Sequence, residues 1–197
     1  MDRLKAQMDF LLEMDKSKLI GRQTYLANGE RKENDAEHAW HLALMCLLLS
    51  EHANEKIDKL HTMTMVLIHD LIEIDAGDTY AYDEKGNEDK AERERKAADR
   101  IFSILPKDQG NYLRAVWEEF EDGDTPEARF ARCIDRVQPT MLNSASGGRS
   151  WIEHKVEASK VFKRNAKSAE GSKTLWDYAV ENYIEPNIKK GNIIEDR

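Results

Sequence analysis

The chain has 197 residues, with 38 Asp and Glu against 30 Lys and Arg for a formal net charge of −8, and only 10 Gly and 4 Pro. This length can bury one substantial core and no Pro/Gly/Ser-rich linker divides it, so a single domain over residues 1–197 is expected. The acidic balance argues against a nucleic-acid partner, which requires a basic face to displace counterions from phosphates.

A small phosphorylated ligand remains compatible with this charge where cations concentrate locally. The start Met1-Asp2-Arg3-Leu4 lacks the basic-then-apolar order of a signal peptide, and no apolar run approaches the ~18 residues that span a bilayer. A soluble, cytoplasmic protein with no membrane partner is expected. Cys46 and Cys133, without a secretory signal or a CxxC spacing, read as reduced packing residues. Abundant Ala, Leu, Glu, Lys and Arg and the absence of Val/Ile/Thr alternation predict an all-α fold.

In chain order, Met8, Leu11, Leu12 and Met14 suggest an amphipathic helix over residues 3–15. Residues 21–37, with Gly21, Asn28, Gly29 and Asn34 among the cations Arg22, Arg31 and Lys32, read as a loop or broken turn. Asp35 is the expected N-cap of the next helix, with His38 at its third position. From Ala39 to Leu49 only His41 is polar, which predicts a helix running through the middle of the domain. Another helix is expected over 58–74, its stripe made by Met63, Val66, Leu67, Leu71 and Ile74, with Gly77 as a stop. His69 and Asp70 fall in its final turns.

Residues 83–100 read as a solvated helix supported by Asp89–Arg93 and Glu92–Lys96 pairs four apart. Further helices are expected at 107–121, 126–144 and 150–168, and a last one at 173–185 that Pro186 helps end. Trp40, Trp117 and Trp151 are expected in the core. Trp176, Tyr178 and Tyr183 are expected to pack on the core or form a homodimer seam, and a homodimer is left open.

His38, His69, Asp70 and Asp135 are a mixture of imidazole and carboxylate that suits one divalent ion while leaving positions for water and substrate. A His-Asp pair alone is common on surfaces. Here it lies on an apolar helix, where unpaired polar groups are costly, with Glu73 one turn later and Asp78 just after Gly77. Such a gathering of ionisable groups calls for a compensating cation. Arg22 could grip a phosphate bidentately, with Arg31 and Lys32 as alternatives. His41 reads as a helix-contact residue, and His52, His61 and His154 have no motif support.

On these residues the chain resembles the HD-domain metal-dependent phosphohydrolase superfamily, whose signature is a distant His, then His-Asp, then a distant Asp. Glu33-Asn34 through Glu37-His38, the string HDLIEIDAGD from His69 to Asp78, and CIDRVQPTMLN from Cys133 to Asn143 are similar to the subgroup that dephosphorylates deoxynucleoside monophosphates. The resemblance covers roughly residues 20–145. It implies an all-helical HD-domain fold, one divalent metal (Mn, Co, Fe, Ni, Zn or Mg) held by His38, His69, Asp70 and Asp135, and hydrolysis of a nucleotide 5′-phosphomonoester. It further implies that Glu73 orients or deprotonates the attacking water, that Asp78 protonates the leaving oxygen or contacts the sugar, and that Arg22 meets the phosphate.

Two-metal members place extra histidines between the His-Asp pair and the last Asp. None occurs between His69 and Asp135, so a mononuclear site is favoured. Hydrolysis of guanosine pyrophosphate alarmones is the alternative within the class, and a metal-stabilised helical interaction module is the alternative outside it. Residues 146–197 match nothing assignable to chemistry.

Overall fold

A computed structural model describes residues 2–77 and 90–196, which are mainly helical, with one short two-stranded hairpin. The first helix, α1 (Arg3–Met14), is capped by the Asp2 carboxylate, which accepts from the Leu4 amide. It buries Ala6 and Phe10, whereas Leu4, Met8, Leu11 and Leu12 face outward. The stripe expected to pack inward is thus largely on the open side. A 3₁₀ turn over Asp15–Leu19 follows.

The segment expected as a loop instead forms β1 (Gly21–Tyr25), antiparallel to β2 (Lys32–Asn34), pairing Gly21 with Asn34 and Tyr25 with Lys32. Its Asn28-Gly29 tip, with Gly29 at φ 72°, is hairpin chemistry rather than open coil. The hairpin passes directly into α2 (Asp35–Leu49), whose N-cap is Asn34 and not Asp35. Asn34 and Glu37 satisfy each other's backbone amides in a capping box. The Asp35 carboxylate is released from capping and buried.

Helix α2 does not run through the middle of the molecule. It buries Leu42, Ala43, Met45 and Cys46, but Trp40 is 65% exposed and Leu44, Leu47 and Leu48 share its outer face. The expected helix over 58–74 is broken. Helix α3 (Lys59–Ile68), capped by Asp58, gives way to a turn over residues 69–72 before the single turn α4 (Glu73–Ala76). Tight i to i−3 bonds, Leu71 amide to Ile68 carbonyl and Glu73 amide to Asp70 carbonyl, replace the α-helical ladder there.

The charged helix α5 (Lys90–Ser103) carries the expected Glu92–Lys96 pair outward and Ala97, Ala98, Ile101 and Phe102 inward. Asp89 lies outside the described residues. Helices α6 (Lys107–Asp122) and α7 (Pro126–Ala145) follow the expected spans. Helix α7 is the central element, touching α2, α3 and α6, and burying Phe130, Ile134 and Val137 among its neighbours.

The expected helix over 150–168 is split into α8 (Arg149–Glu153) and α9 (Ala158–Asn165). Lys155 adopts φ 49°, and the link at Val156–Ala158 instead bonds to the backbone of Ile194. The short α10 (Ser168–Gly171), α11 (Lys173–Ala179), a π-turn over Val180–Ile184 and α12 (Glu185–Lys189) complete the chain. Pro186 sits in the first turn of α12, where its missing N–H costs nothing, and so does not end the helical run.

The main core is built around Leu42, Met65, Ile101, Phe130 and Ile134, and a smaller cluster gathers Trp151, Val161, Ile184 and Ile193. Trp117 and Trp151 are core residues as expected; Trp40 is not. Trp176 packs against both clusters, while Tyr178 is exposed with its ring edge-on to Tyr183. Cys46 and Cys133 are free and buried, and burial pushes their thiols up to about 11 and about 12. Among the described residues no helix is long and apolar enough to cross a membrane.

Candidate metal centre

Three segments bring the four predicted ligands to one point. The capping box fixes the start of α2 and with it His38; the turn after α3 supplies His69 and Asp70; the middle of α7 supplies Asp135. On a continuous helix, adjacent side chains diverge by about 100°. The break after Ile68 removes that constraint, and His69 Nε2 lies 3.1 Å from Asp70 Oδ2. Asp135 Oδ1 is 3.0 Å from His38 Nε2 and 3.5 Å from His69 Nε2. His38 Nε2 is 3.9 Å from Asp70 Oδ2. Both histidines are buried, and each carboxylate retains a partly exposed edge.

The tautomers follow from what stands behind the rings. His69 Nδ1 lies 2.9 Å from the Val66 carbonyl, which can only accept. His38 Nδ1 lies 3.1 Å from Gln138 Oε1, and Gln138 is oriented by donating from Nε2 to Glu33 Oε2 at 2.9 Å. Each neutral ring therefore spends its N–H outward and turns an Nε2 lone pair towards carboxylate oxygens. His69 Nε2 is buried with no hydrogen-bond partner. Lone pairs facing lone pairs require a cation or added protons, and a site of two imidazoles and two carboxylates fits a divalent ion.

The electrostatics agree. Burial opposes charge on His69, yet Asp70 and Asp135 outweigh it and hold the ring well above the usual histidine range. Burial and Arg22 push His38 down, but Asp135 and Glu33 leave it raised. Burial pushes Asp135 up, while the nearby His38 and His69 rings prevail and hold it well below the usual carboxylate range. Asp70 is likewise lowered, its burial outweighed by His69 and Arg22. Without metal the centre thus keeps its protons on nitrogen, where an ion would displace them.

A second ring of groups adjoins the first. Glu73, at the start of α4, is buried and within 4.8 Å of Asp35 and Asp70 by their carboxylate oxygens. Arg22 on β1 reaches Asp70 Oδ2 at 2.5 Å and Asp35 Oδ1 at 3.2 Å, and its Nε lies 3.7 Å from Glu33 Oε1. Arg31 pairs with Glu37 at the surface, and Lys32 bonds Gln23, so neither points at the centre in this arrangement. His41 meets Gln138, and His61 meets Glu119. Asp78 lies outside the described residues.

Glu33, Asp35 and Gln138 are contributors that sequence reasoning did not single out for a role. Glu33 and Gln138 fall inside the quoted motif strings, which was the available signal, whereas Asp35 was read only as a cap.

A family model described as HD domain matches residues 14–176. A human protein named 5'-deoxynucleotidase HDDC2 is 28% identical over 152 residues, covering 77% of this chain and 72% of that protein. A Dictyostelium discoideum protein of the same name is 30% identical over 138 residues, covering 66% of this chain and 72% of that one. The match to the mouse protein covers only 57% of its length. The crystal structure of a predicted metal-dependent phosphohydrolase from Magnetospirillum magnetotacticum superposes with a TM-score of 0.92 at 46% identity, covering 97% of this chain and 95% of that chain.

Proposed function

This chain belongs to the HD-domain family, and from that premise we propose that it is a metal-dependent phosphohydrolase that releases phosphate from deoxynucleoside 5′-monophosphates. The relatives' names support the phosphomonoester and the deoxynucleoside. The observation that carries the metal-dependent part is the meeting of the His38 and His69 Nε2 atoms with Asp135 Oδ1 while both ring N–H groups point away.

In this reading His38, His69, Asp70 and Asp135 hold one divalent ion. When bound, it lowers the pKa of water and neutralises charge building on the phosphoryl oxygens. Glu73, buried beside Asp70, orients the attacking water and accepts its proton. Arg22 exchanges its pairing with Asp70 and Asp35 for the substrate phosphate, where its planar fork matches two oxygens. Asp78 protonates the departing 5′-oxygen or contacts the sugar. Positioning and preorganised charge supply the rest of the rate.

The chain acts as a single cytoplasmic domain in this account, with a second copy as its partner. The outer face of α2, where Trp40, Leu44, Leu47 and Leu48 recur at helical spacing, supports that partner better than the C-terminal aromatics do, since Trp176 is already packed on the core.

The test is phosphate release from a panel of deoxy- and ribonucleoside 5′-monophosphates by chelator-stripped protein re-supplied with Mn, Co or Mg, with Asp70→Ala as control. Metal-dependent release confined to the intact site is expected, with the deoxy series preferred. Silence across the panel alongside turnover of a guanosine pyrophosphate would overturn the monophosphatase reading.

A further inference from the structure

Helix α7 carries a second charged site on a face that the metal centre does not use. Arg129, Arg132 and Arg136 recur at i, i+3 and i+7 and so share one side of the helix, and Arg136 points about 100° around the axis from Asp135. With Lys167 they line a cavity of ≈ 120 Å³ between α7, the α6–α7 connection and the approach to α10. In a chain of net charge −8, four cations in one hollow are a local inversion.

The carboxylates nearby leave a formal excess of one positive charge and are not paired with these cations. Asp122, Asp124 and Glu170 also border the cavity, yet among the described residues none forms an ion pair with its cations. Arg129 pairs outward with Glu55 at 2.6 Å and bonds the Asp124 carbonyl. Arg132 donates from Nη1 to the Glu121 carbonyl at 2.8 Å and, more weakly, to that of Phe120, capping the end of α6. Its guanidinium occupies space that a side chain would fill: Gly123 sits at φ 73°, and a Cβ there would lie 2.5 Å from Nη1.

Arg136 has no such outlet. Its guanidinium makes no hydrogen bond or ion pair among the described residues, although it is half-buried. A partly desolvated guanidinium among like charges is costly until an anion joins it.

We propose that this cavity is a second anion site, separate from the metal centre, that binds a phosphate group through Arg136, Arg132 and Lys167. A tetrahedral oxyanion offers the acceptor pairs that guanidinium forks take bidentately. A cavity of this size is well below the roughly 300–1,000 Å³ that encloses a drug-sized ligand. The occupant is therefore either free inorganic phosphate or the phosphate end of a nucleotide whose remainder stays outside. The inference stands on the cavity and does not depend on the reading of the metal centre.

The experiment is thermal unfolding of the full chain after chelation, which prevents turnover, titrated with inorganic phosphate or deoxyadenosine monophosphate and with chloride at matched ionic strength. Phosphate should raise the midpoint where chloride does not. The shift should survive in Arg22→Ala, whose change is confined to the metal centre. In Arg136→Gln the apparent phosphate affinity should fall by about tenfold or more, as expected for losing a charged hydrogen bond. Arg136→Lys should restore part of it, and Lys167→Gln provides a second variant at an exposed position. A nucleotide shift lost with Arg136 assigns the nucleotide source, and a shift seen with phosphate alone assigns the free ion. Equal phosphate affinity in wild type, Arg136→Gln and Lys167→Gln, or a shift reproduced by chloride, would overturn the proposal.

Discussion

His38 Nε2 stands 3.0 Å from Asp135 Oδ1, and the neutral ring, donating its Nδ1–H to Gln138 Oε1 on the opposite side, turns a lone pair toward that oxygen. The same relationship recurs between His69, whose Nδ1 faces the Val66 carbonyl, and Asp135. One carboxylate oxygen thus faces both imidazoles, and removing it takes away the point where they meet. Asp135→Ala should lower metal affinity by more than the 10–100-fold that is typical for loss of a supporting partner, and should abolish turnover. Glu73→Gln, which leaves all four proposed ligands in place, should bind metal normally and lose about 10²–10⁴ in turnover. Metal content after dialysis, measured beside phosphate release, separates the two; full activity in either variant would refute the mechanism.

The metal-free centre should make stability fall as pH rises. His69 has a folded-state pKa well above the ordinary 6.5, so its contribution is complete below that value and is lost as pH climbs through the raised one. Asp135 behaves oppositely: its folded pKa is depressed, so its contribution exists above the ordinary carboxylate range and is lost only as pH falls through the lowered value. Chelated protein should therefore be most stable between the two ranges and should lose midpoint temperature above about pH 6.5. Metal affinity should rise over the same interval with proton release. Melting curves from pH 5 to 9 with and without metal decide this, and a chelated protein that gains stability towards pH 9 would contradict it.

The sequence made the proposed ligands legible because metal chemistry restricts residue type: His38, His69, Asp70 and Asp135 stand out wherever the chain folds. What supports them was hidden. Gln138 acquires its role only when α7 brings it against Glu33, 105 residues earlier, and nothing local to either residue announces that bond. The break after Ile68 was masked because Leu71 and Ile74 continue the apolar spacing of α3 through a turn that is no longer α-helical. Helix α2 misled for a related reason, since apolar residues around a helix do not say which side the protein itself covers. The hairpin at 21–34 is too short to show strand alternation, and its Asn-Gly tip was the signal to weigh.

That uncovered side of α2 yields a prediction about assembly. Trp40, Leu44, Leu47 and Leu48 form an apolar face that water alone would solvate poorly. If a second copy covers it, the protein should run as a dimer in light scattering at micromolar concentration. The double substitution Trp40→Glu and Leu48→Glu should then give a folded monomer, because like charges would meet across a two-fold interface. A wild-type monomer throughout the concentration range would remove the dimer from the account.

Gly171 supplies a stability test at the contact between α10 and α7. It ends α10 where that turn presses on α7, and a Cβ there would lie 2.1 Å from the Arg129 carbonyl oxygen and 2.9 Å from the Cys133 Cβ. The obstacle is backbone on a central helix, so it cannot swing aside as the end of a long side chain would. Gly171→Ala must displace α10 from α7 and should cost at least about 1–3 kcal/mol, the usual range for overpacking. For a chain of this length each kcal/mol lowers the melting midpoint by about 2–4 °C. Gly21→Ala is the internal control, because nothing lies within 4 Å of a Cβ at that position. Its midpoint should stay within the experimental scatter of the wild type, and a Gly171→Ala midpoint equally unchanged would show that α10 does not pack on α7 this closely.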